Sequence, residues 1–546
     1  SGGYLLGAVL LYCRVWTDLG HGYLQDSMQD GNMFEWFFAV AAKHPGGLLV
    51  STLQNHPLGV NMMANTSMLG LGVPLAPVTW LFGPSVTWIV VLTGGVAGSA
   101  AGWYWVISRH IVDSRPGAAI GGAFCAFAPP MISHANAHPN FTALFVLPFI
   151  VGQLIKLVKG ENTQRHGIVL GLLLAYQVFL GEEPLLIAAT ALLIYGMARP
   201  SVWNWSLWRG LGIAGLVALP LVAYPLWTQF FGPQAYSTMG HGHGGNDVAA
   251  ITGFASASLA GDPAVAQRFA GNPTEENAFF GYPLVILVVV LAIWLWQVAN
   301  VRALVITCGA MAVLSLGGIL FVNGVRTEIP LPWLMVNQLP LYDSVIGSRL
   351  AMACVPLIGI LLAMATERML TLARHATHTP LKLLWIGALL AVLVPITPAP
   401  LSVVERPDTP AFFADGLWRQ YAGPDRSVVV VPLPNSGYSL PLHWQTDARL
   451  GFPLAEGYFV GPDAVGKGRY GAVPRPTSAL FDRVARTGEV PPIGPGERDQ
   501  ALRDVRYWHA GAVVLGPRDR QDELRRTCEA LFGPGRYVGG VWVWPM

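Results

Sequence analysis

The sequence predicts a polytopic α-helical membrane protein with about eleven transmembrane helices and a small α/β domain at its C-terminal end. The chain is 53% hydrophobic and only 12% charged, with a mean hydropathy of +0.46, whereas soluble domains carry about 25% charged residues. Helix-length apolar runs recur along residues 1–402, and the connections between them alternate in charge. After Pro400 the composition turns to that of a soluble domain, which divides the chain into a membrane domain over 1–402 and an α/β domain over 403–546.

The apolar runs lie near 3–16, 86–108, 117–133, 141–156, 167–180, 184–198, 210–228, 282–299, 303–321, 350–366 and 383–399. The first, from Tyr4 to Trp16, is shorter than the roughly 20 residues that cross a bilayer, and residues upstream of Ser1 are expected. Arg14, Trp16 and Asp18 follow it where a signal peptide needs a small-residue cleavage site, so it is read as a retained helix.

One set of connections holds Arg109 and Arg115, then Lys156, Lys159 and Arg165, then Arg199 and Arg209, then Arg302, then Arg368, Arg374 and Lys382. The positive-inside rule places these in the cytoplasm. The other set is acidic, with Asp18, Asp26, Asp30, Glu35, Glu182, Glu183, Asp247, Asp262, Glu275, Glu276, Glu328 and Asp343, and faces outside. The apolar piece Met68–Phe82 contains Pro74 and Pro77, and a crossing there would invert every later loop. It is read as a re-entrant or interfacial part of a first outer loop over 17–85, which needs protein to cover its backbone groups. The N-terminus is then inside, the C-terminal domain is extracytoplasmic, and the protein is a multi-pass component of the plasma membrane.

In the C-terminal region, Val428–Val431, Ala512–Leu515 and Tyr537–Trp544 read as strands and Arg518–Leu531 as a helix. A formal net charge of +2 gives no basic face for a nucleic acid. Cys13, Cys125, Cys308 and Cys354 sit in apolar stretches and Cys528 stands alone, so neither a disulfide framework nor a zinc site follows.

Polar groups at the outer surface gather in four places. In the loop after the first helix, Phe34, Trp36, Phe37, Phe38 and Val40 suit an amphipathic helix lying in the interface. Asp26 and Asp30, spaced by four, would share a helix face and raise each other's pKa. One of them can act as a general base; the alternative is a pair of solvated acids capping that helix. The second place is HANAHPN, with His134, Asn136, His138 and Asn140. The third is Glu182 and Glu183, in a turn too short to reach far into water. The fourth is the loop with Arg326, Glu328, Asp343 and Arg349. There Arg349 stands at the height of a lipid phosphate, which a guanidinium matches bidentately, or serves as a snorkelling anchor. His241 and His243 in GHGHGGND lack a third ligand at metal-binding spacing and read as a Gly-rich loop. No P-loop, GxSxG elbow or HExxH is present.

Three stretches, DGNMFEWFF at 30–38, HPLGVNMMANTSMLGLGVPLAPVTWLFGP at 56–84 and FLGEEPLL at 179–186, resemble a family of large actinobacterial membrane proteins and, more distantly, GT-C glycosyltransferases. HANAHPNFT at 134–142 and a pattern at Gln445, Thr446, Gly457 and Tyr458 extend the similarity over most of the chain. The resemblance implies a GT-C-like fold and inverting transfer of a sugar from a polyprenyl-phosphate carrier, such as decaprenyl-phosphate arabinose, to a glycan or glycolipid acceptor of the cell envelope. It implies Asp30 as the catalytic base with Asp26 second, although the family's adjacent acidic pair is missing there. Glu182, Glu183, His138, Asn140, Arg349, Arg326, His56 and Asn61 are then substrate-binding residues. No cofactor other than the lipid-linked sugar donor is expected, and no ligand set supports a divalent metal. Two alternatives are a flippase for a lipid-linked saccharide, which needs a polar path that the helices lack, and a noncatalytic envelope-assembly protein.

Overall fold

The computed structural model describes residues 2–242, 244–375 and 380–546. Four helices are long and apolar enough to cross a membrane, namely Pro84–His110, Pro139–Val158, Trp205–Phe231 and Gly347–Ala373. The expected run at 117–133 is broken into Arg115–Phe127 and Pro129–Ala135, bent by 44°, and counts as a fifth if both halves form one span. The break falls where Pro129 and Pro130 remove two backbone donors and clash with the preceding turn.

By length and composition the described residues thus hold four or five spans, fewer than the eleven expected. The other apolar runs form shorter helices: Gly2–Leu11, Tyr282–Leu295, Ala299–Ser315 and Pro380–Ile396. Thr163–Val178 and Glu182–Ala198 have 16 and 17 residues. At 1.5 Å per residue such helices fall short of a hydrocarbon core of about 30 Å. Apolar runs overcount spans because a helix buried against other helices is as apolar as one in lipid.

Small residues let the helices approach closely. A Cβ on Gly121 would stand 2.6 Å from the Gly359 carbonyl, and one on Gly171 2.6 Å from that of Ala214. These seams join Arg115–Phe127 to Cys354–His375 and Thr163–Val178 to Trp205–Phe231, the backbone-to-backbone packing that stands in for hydrophobic drive in lipid.

The helix Met28–Lys43 departs from the interfacial reading. Phe34, Trp36, Phe37, Phe38 and Val40 are all buried, and Trp36 Nε1 donates to Gln445 Oε1 at 2.7 Å in the C-terminal helix Leu440–Asp447. Protein, not lipid headgroups, covers the aromatic face. Glu35 on the same helix is sealed in an ion pair with Arg406, with His443 Nδ1 3.5 Å away. The segment after it forms two short helices, Leu69–Gly72 and Ala76–Phe82.

Past residue 403 the chain first returns to the membrane part, where Val403–Glu405 pairs antiparallel with Gly22–Leu24. It then builds a four-stranded sheet in the order Arg536–Val538, Val541–Pro545, Ala510–Leu515, Ser427–Val430. The last two strands run parallel, and the helices Pro476–Thr487 and Pro495–Tyr507 lie in the crossover that parallel pairing demands. Tyr537–Trp544, expected as one strand, folds back at Gly539 and Gly540, both at positive φ. Segment 53–56 of the first loop threads against this region, with Leu454 N donating to Leu53 O at 2.9 Å and His56 N to Leu454 O at 3.1 Å. That contact carries the stretch after Leu454 over the first loop.

Candidate functional site

Asp30 sits in the first turn of Met28–Lys43 and is buried. Tyr458, delivered by the stretch after Leu454, donates its hydroxyl to Asp30 Oδ1 at 2.7 Å. His138 Nε2 lies 3.8 Å from Asp30 Oδ2. Burial pushes the Asp30 carboxyl up to about 6, helped by the nearby Glu275 and opposed by Tyr458 and Arg349.

Behind His138 the groups are tightly joined. His134 and His138 share a hydrogen bond between their Nδ1 atoms at 2.8 Å, and His134 Nε2 meets Asn277 Oδ1 at 2.7 Å. Asn277 Nδ2 donates to Glu275 Oε2 at 2.9 Å, which fixes its Oδ1 as the acceptor for His134 Nε2–H. His134 Nδ1 then accepts from His138 Nδ1–H, and the His138 Nε2 lone pair faces Asp30. Burial holds His138 well below its ordinary pKa despite Glu275, so this nitrogen is unprotonated at neutral pH. Two acceptors face each other across 3.8 Å, an arrangement that calls for a hydroxyl or a cation between them.

Arg349 closes the other side. Its Nε stands 3.1 Å from both Glu275 oxygens, Nη2 also bonds Glu275, and Nη1 donates to Glu183 Oε2 at 2.6 Å. The guanidinium lies 4.8 Å from the Phe141 ring centroid. Glu275, although half-buried, is held well below the usual carboxylate range by Arg349. Asp30, Glu183 and Glu275 against Arg349 leave two net negative charges when all three acids are ionised and both histidines neutral. His134, His138 and Glu275 offer three ligand atoms within 4.8 Å of one another. A two-histidine, one-carboxylate set in a net acidic site fits a divalent cation once the His134–His138 and His134–Asn277 hydrogen bonds open to free the ring nitrogens.

Of the residues singled out in the sequence, the structure thus brings together Asp30, His138, Glu183 and Arg349. Glu182 points to the neighbouring face, where Gln229 Nε2 donates to it at 2.7 Å. Asn140 is buried with its Cβ near Gly181. Asp26 does not share a helix face with Asp30, because it lies in the 3-10 turn Gln25–Ser27 before the helix starts. Its pKa is raised by its own partial burial, and the acid it faces is Glu276.

Three residues lie apart. Asn61 is a loop staple whose Oδ1 accepts from Met63 N and Ala64 N at 3.1 Å and whose Nδ2 donates to Thr228 O at 2.7 Å. His56 packs edge-on against His509 at 5.3 Å. Arg326 is exposed on the hairpin Ile319–Val322 and Val325–Pro330. His241 faces Arg349 and Glu275 electrostatically, and His243 lies outside the described residues. Sequence reasoning gave no role to Glu275, His134 or Tyr458. The adjacent acids Glu275 and Glu276, like Glu182 and Glu183, were the available signal for the first, and the Gly457–Tyr458 dipeptide for the last.

No family model matches the chain, and no curated protein matches it in sequence. Among solved structures, the archaeal oligosaccharyltransferase AglB from Archaeoglobus fulgidus in complex with an inhibitory peptide and a dolichol-phosphate superposes with a TM-score of 0.52 at 12% identity, over 94% of this chain and 68% of that one. An Archaeoglobus fulgidus oligosaccharyltransferase tethered to an acceptor peptide containing the NVT sequon gives the same values. A complex of it with Zn and sulfate gives a TM-score of 0.50, again at 12% identity, over 94% and 67%. The chain therefore shares the fold of these structures, mostly helical with a C-terminal domain of small sheets, and its long apolar helices mark a membrane protein.

Proposed function

We propose that this protein is a GT-C-type glycosyltransferase that takes a sugar from a polyprenyl-phosphate carrier and passes it, with inversion, to a cell-envelope glycan or glycolipid on the outer face of the plasma membrane. The observation that carries the reading is the buried Asp30, held by Tyr458 and facing His138 beside the Arg349–Glu275–Glu183 cluster. Charge alternation assigns outside the connections that carry Asp30, His138, Glu183 and Glu275, and Arg349 stands in the first turn of the span Gly347–Ala373 that follows them; on this reading the N-terminus is cytoplasmic and the C-terminal domain extracytoplasmic. The dolichol-phosphate bound to the archaeal neighbour supports a lipid-phosphate carrier here.

In the reaction an acceptor hydroxyl attacks the anomeric carbon, its proton passes to Asp30, and the bond from that carbon to the carrier's phosphate oxygen breaks. A carboxylate in hydrogen-bond reach contributes about 10²- to 10⁴-fold to such a step. Negative charge grows on the departing phosphate, and Arg349, with two of its five N–H groups not engaged by Glu183 or Glu275, stabilises it more than the ground state. Glu183, beside Arg349, accepts from a sugar hydroxyl, while Glu182 stays on the neighbouring face with Gln229. His134, His138 and Glu275 would hold a divalent cation, which supplies charge neutralisation at the phosphate when bound.

The test is incubation of the purified protein with a panel of synthetic polyprenyl-phosphate sugars and candidate acceptors. Release of polyprenyl phosphate that disappears in Asp30→Asn supports the reading. Binding of carriers without release across the whole panel overturns it in favour of a flippase or an assembly protein.

A further inference from the structure

The hairpin formed by Val460–Pro462 and Gly468–Tyr470 lies over the site and brings a second tyrosine to it. Tyr470 is 47% exposed, and its ring centroid is 6.3 Å from that of Tyr458, which holds Asp30. It lies in electrostatic reach of Arg349, Asp30, Glu275 and Glu183. Its hydroxyl has no hydrogen-bond partner among the described residues. Nearly half of the Tyr470 surface is thus left uncovered beside the charged cluster.

The main chain of the hairpin that carries the ring is held from several sides. Asn65 Oδ1 accepts from Val460 N at 2.7 Å while its Nδ2 donates to Val460 O at 2.8 Å. Gly468 N donates to Thr238 O at 2.7 Å, and Ser237 N to Gly466 O at 2.9 Å. These bonds occupy main-chain groups on both edges of the hairpin. An extended peptide that binds by adding a strand to a free edge finds no continuous ladder to extend here. A sugar ring needs no ladder: its C–H face stacks on an aromatic ring while its hydroxyls meet charged groups.

We infer that Tyr470 is the stacking platform for the acceptor, and that the acceptor is a saccharide and not a peptide such as the structural neighbour takes. The inference rests on the glycosyl-transfer reading for the purpose of the site. The stack places a sugar ring beside Tyr458, with its hydroxyls directed toward Asp30 and His138 Nε2.

Ligand-observed NMR on the detergent-solubilised full chain tests this without donor or turnover, using maltohexaose, cellohexaose, mannohexaose, arabinohexaose and a peptide carrying Asn-Val-Thr as probes. The wild type binds at least one hexasaccharide. Tyr470→Ala weakens that binding roughly tenfold, the scale of one aromatic contact, and Tyr470→Phe keeps it within about threefold. Equal binding by Tyr470→Ala with an unchanged melting temperature overturns the inference, as does a wild type that binds none of the saccharides. Tyr470-dependent saccharide binding by a protein that releases no polyprenyl phosphate from any donor leaves the platform standing and removes the transferase reading.

Discussion

Tyr458 and Asp30, 428 positions apart, share a hydrogen bond of 2.7 Å that joins the C-terminal part of the chain to the first loop of the membrane part. The donor is a neutral phenol and the acceptor a buried carboxylate, so the bond favours the ionised form of Asp30. Tyr458→Phe removes that bond alone. It should lower kcat about tenfold, the worth of a hydrogen bond to a charged group, and move the acid limb of the pH–rate profile upward. A profile that stays in place would assign Tyr458 a packing role.

Asp30→Asn should reduce transfer by about 10²-fold or more with an unchanged melting temperature. On the proposed mechanism the base works ionised, and burial raises the Asp30 carboxyl to about 6. Activity should therefore be flat above that pH and fall tenfold per unit below it. A profile flat down to pH 4.5 would exclude Asp30 as the base.

Glu35 and Arg406 form a buried ion pair between the helix Met28–Lys43 and the start of the C-terminal part. Burial would raise the Glu35 carboxyl, but Arg406 and His443 hold it down at about 2. Arg406→Met leaves that carboxylate uncompensated and should cost about 3–5 kcal/mol. Adding Glu35→Met should recover much of the loss. The two melting curves read the difference.

Glu456 is buried with Oε1 unpartnered, and burial lifts its carboxyl from 4.5 to about 7. A raised folded-state pKa means that its contribution to stability is fully present below pH 4.5 and is lost as pH rises through about 7. Glu456→Gln cannot ionise. It should gain stability over the wild type at pH 8, on the order of 3 kcal/mol at most, and none at pH 4. Parallel melting curves for the two proteins across that range would disprove the assignment.

Chelation probes the trio His134, His138 and Glu275. Treatment with EDTA should lower transfer, and added Mn²⁺ or Zn²⁺ should restore it. His138→Ala should be insensitive to both. Full activity of the chelated wild type would limit these residues to proton and hydrogen-bond roles.

Composition and apolar runs were enough to identify a helical membrane protein, and the β-rich stretches after Pro400 appear where expected, at Ser427–Val430 and Ala510–Leu515. Such signals are local: burial of a strand or a helix selects side chains within a few residues of one another. Span number is less legible, because an apolar stretch reports burial and not what buries it. The run at 117–133 looked like one span until Pro129 bent it, and the aromatics of Met28–Lys43 looked like interface anchors until the C-terminal helix covered them.

The candidate site divides in the same way. Asp30 stood out by its spacing from Asp26 and by the resemblance, His138 within HANAHPN, Glu183 because adjacent acids in a short turn are costly unless paired, and Arg349 as a match for a phosphate. Which partner each would take was not legible. Arg349 meets Glu183 and Glu275, which lie 166 and 74 positions away, and Asp30 meets a tyrosine from the far end of the chain. From the chain alone one reads that ionisable groups between apolar runs need partners, because an unpaired charge is costly to bury. Which of them touch depends on how whole helices pack and on the segment that closes over them, since such contacts span hundreds of residues.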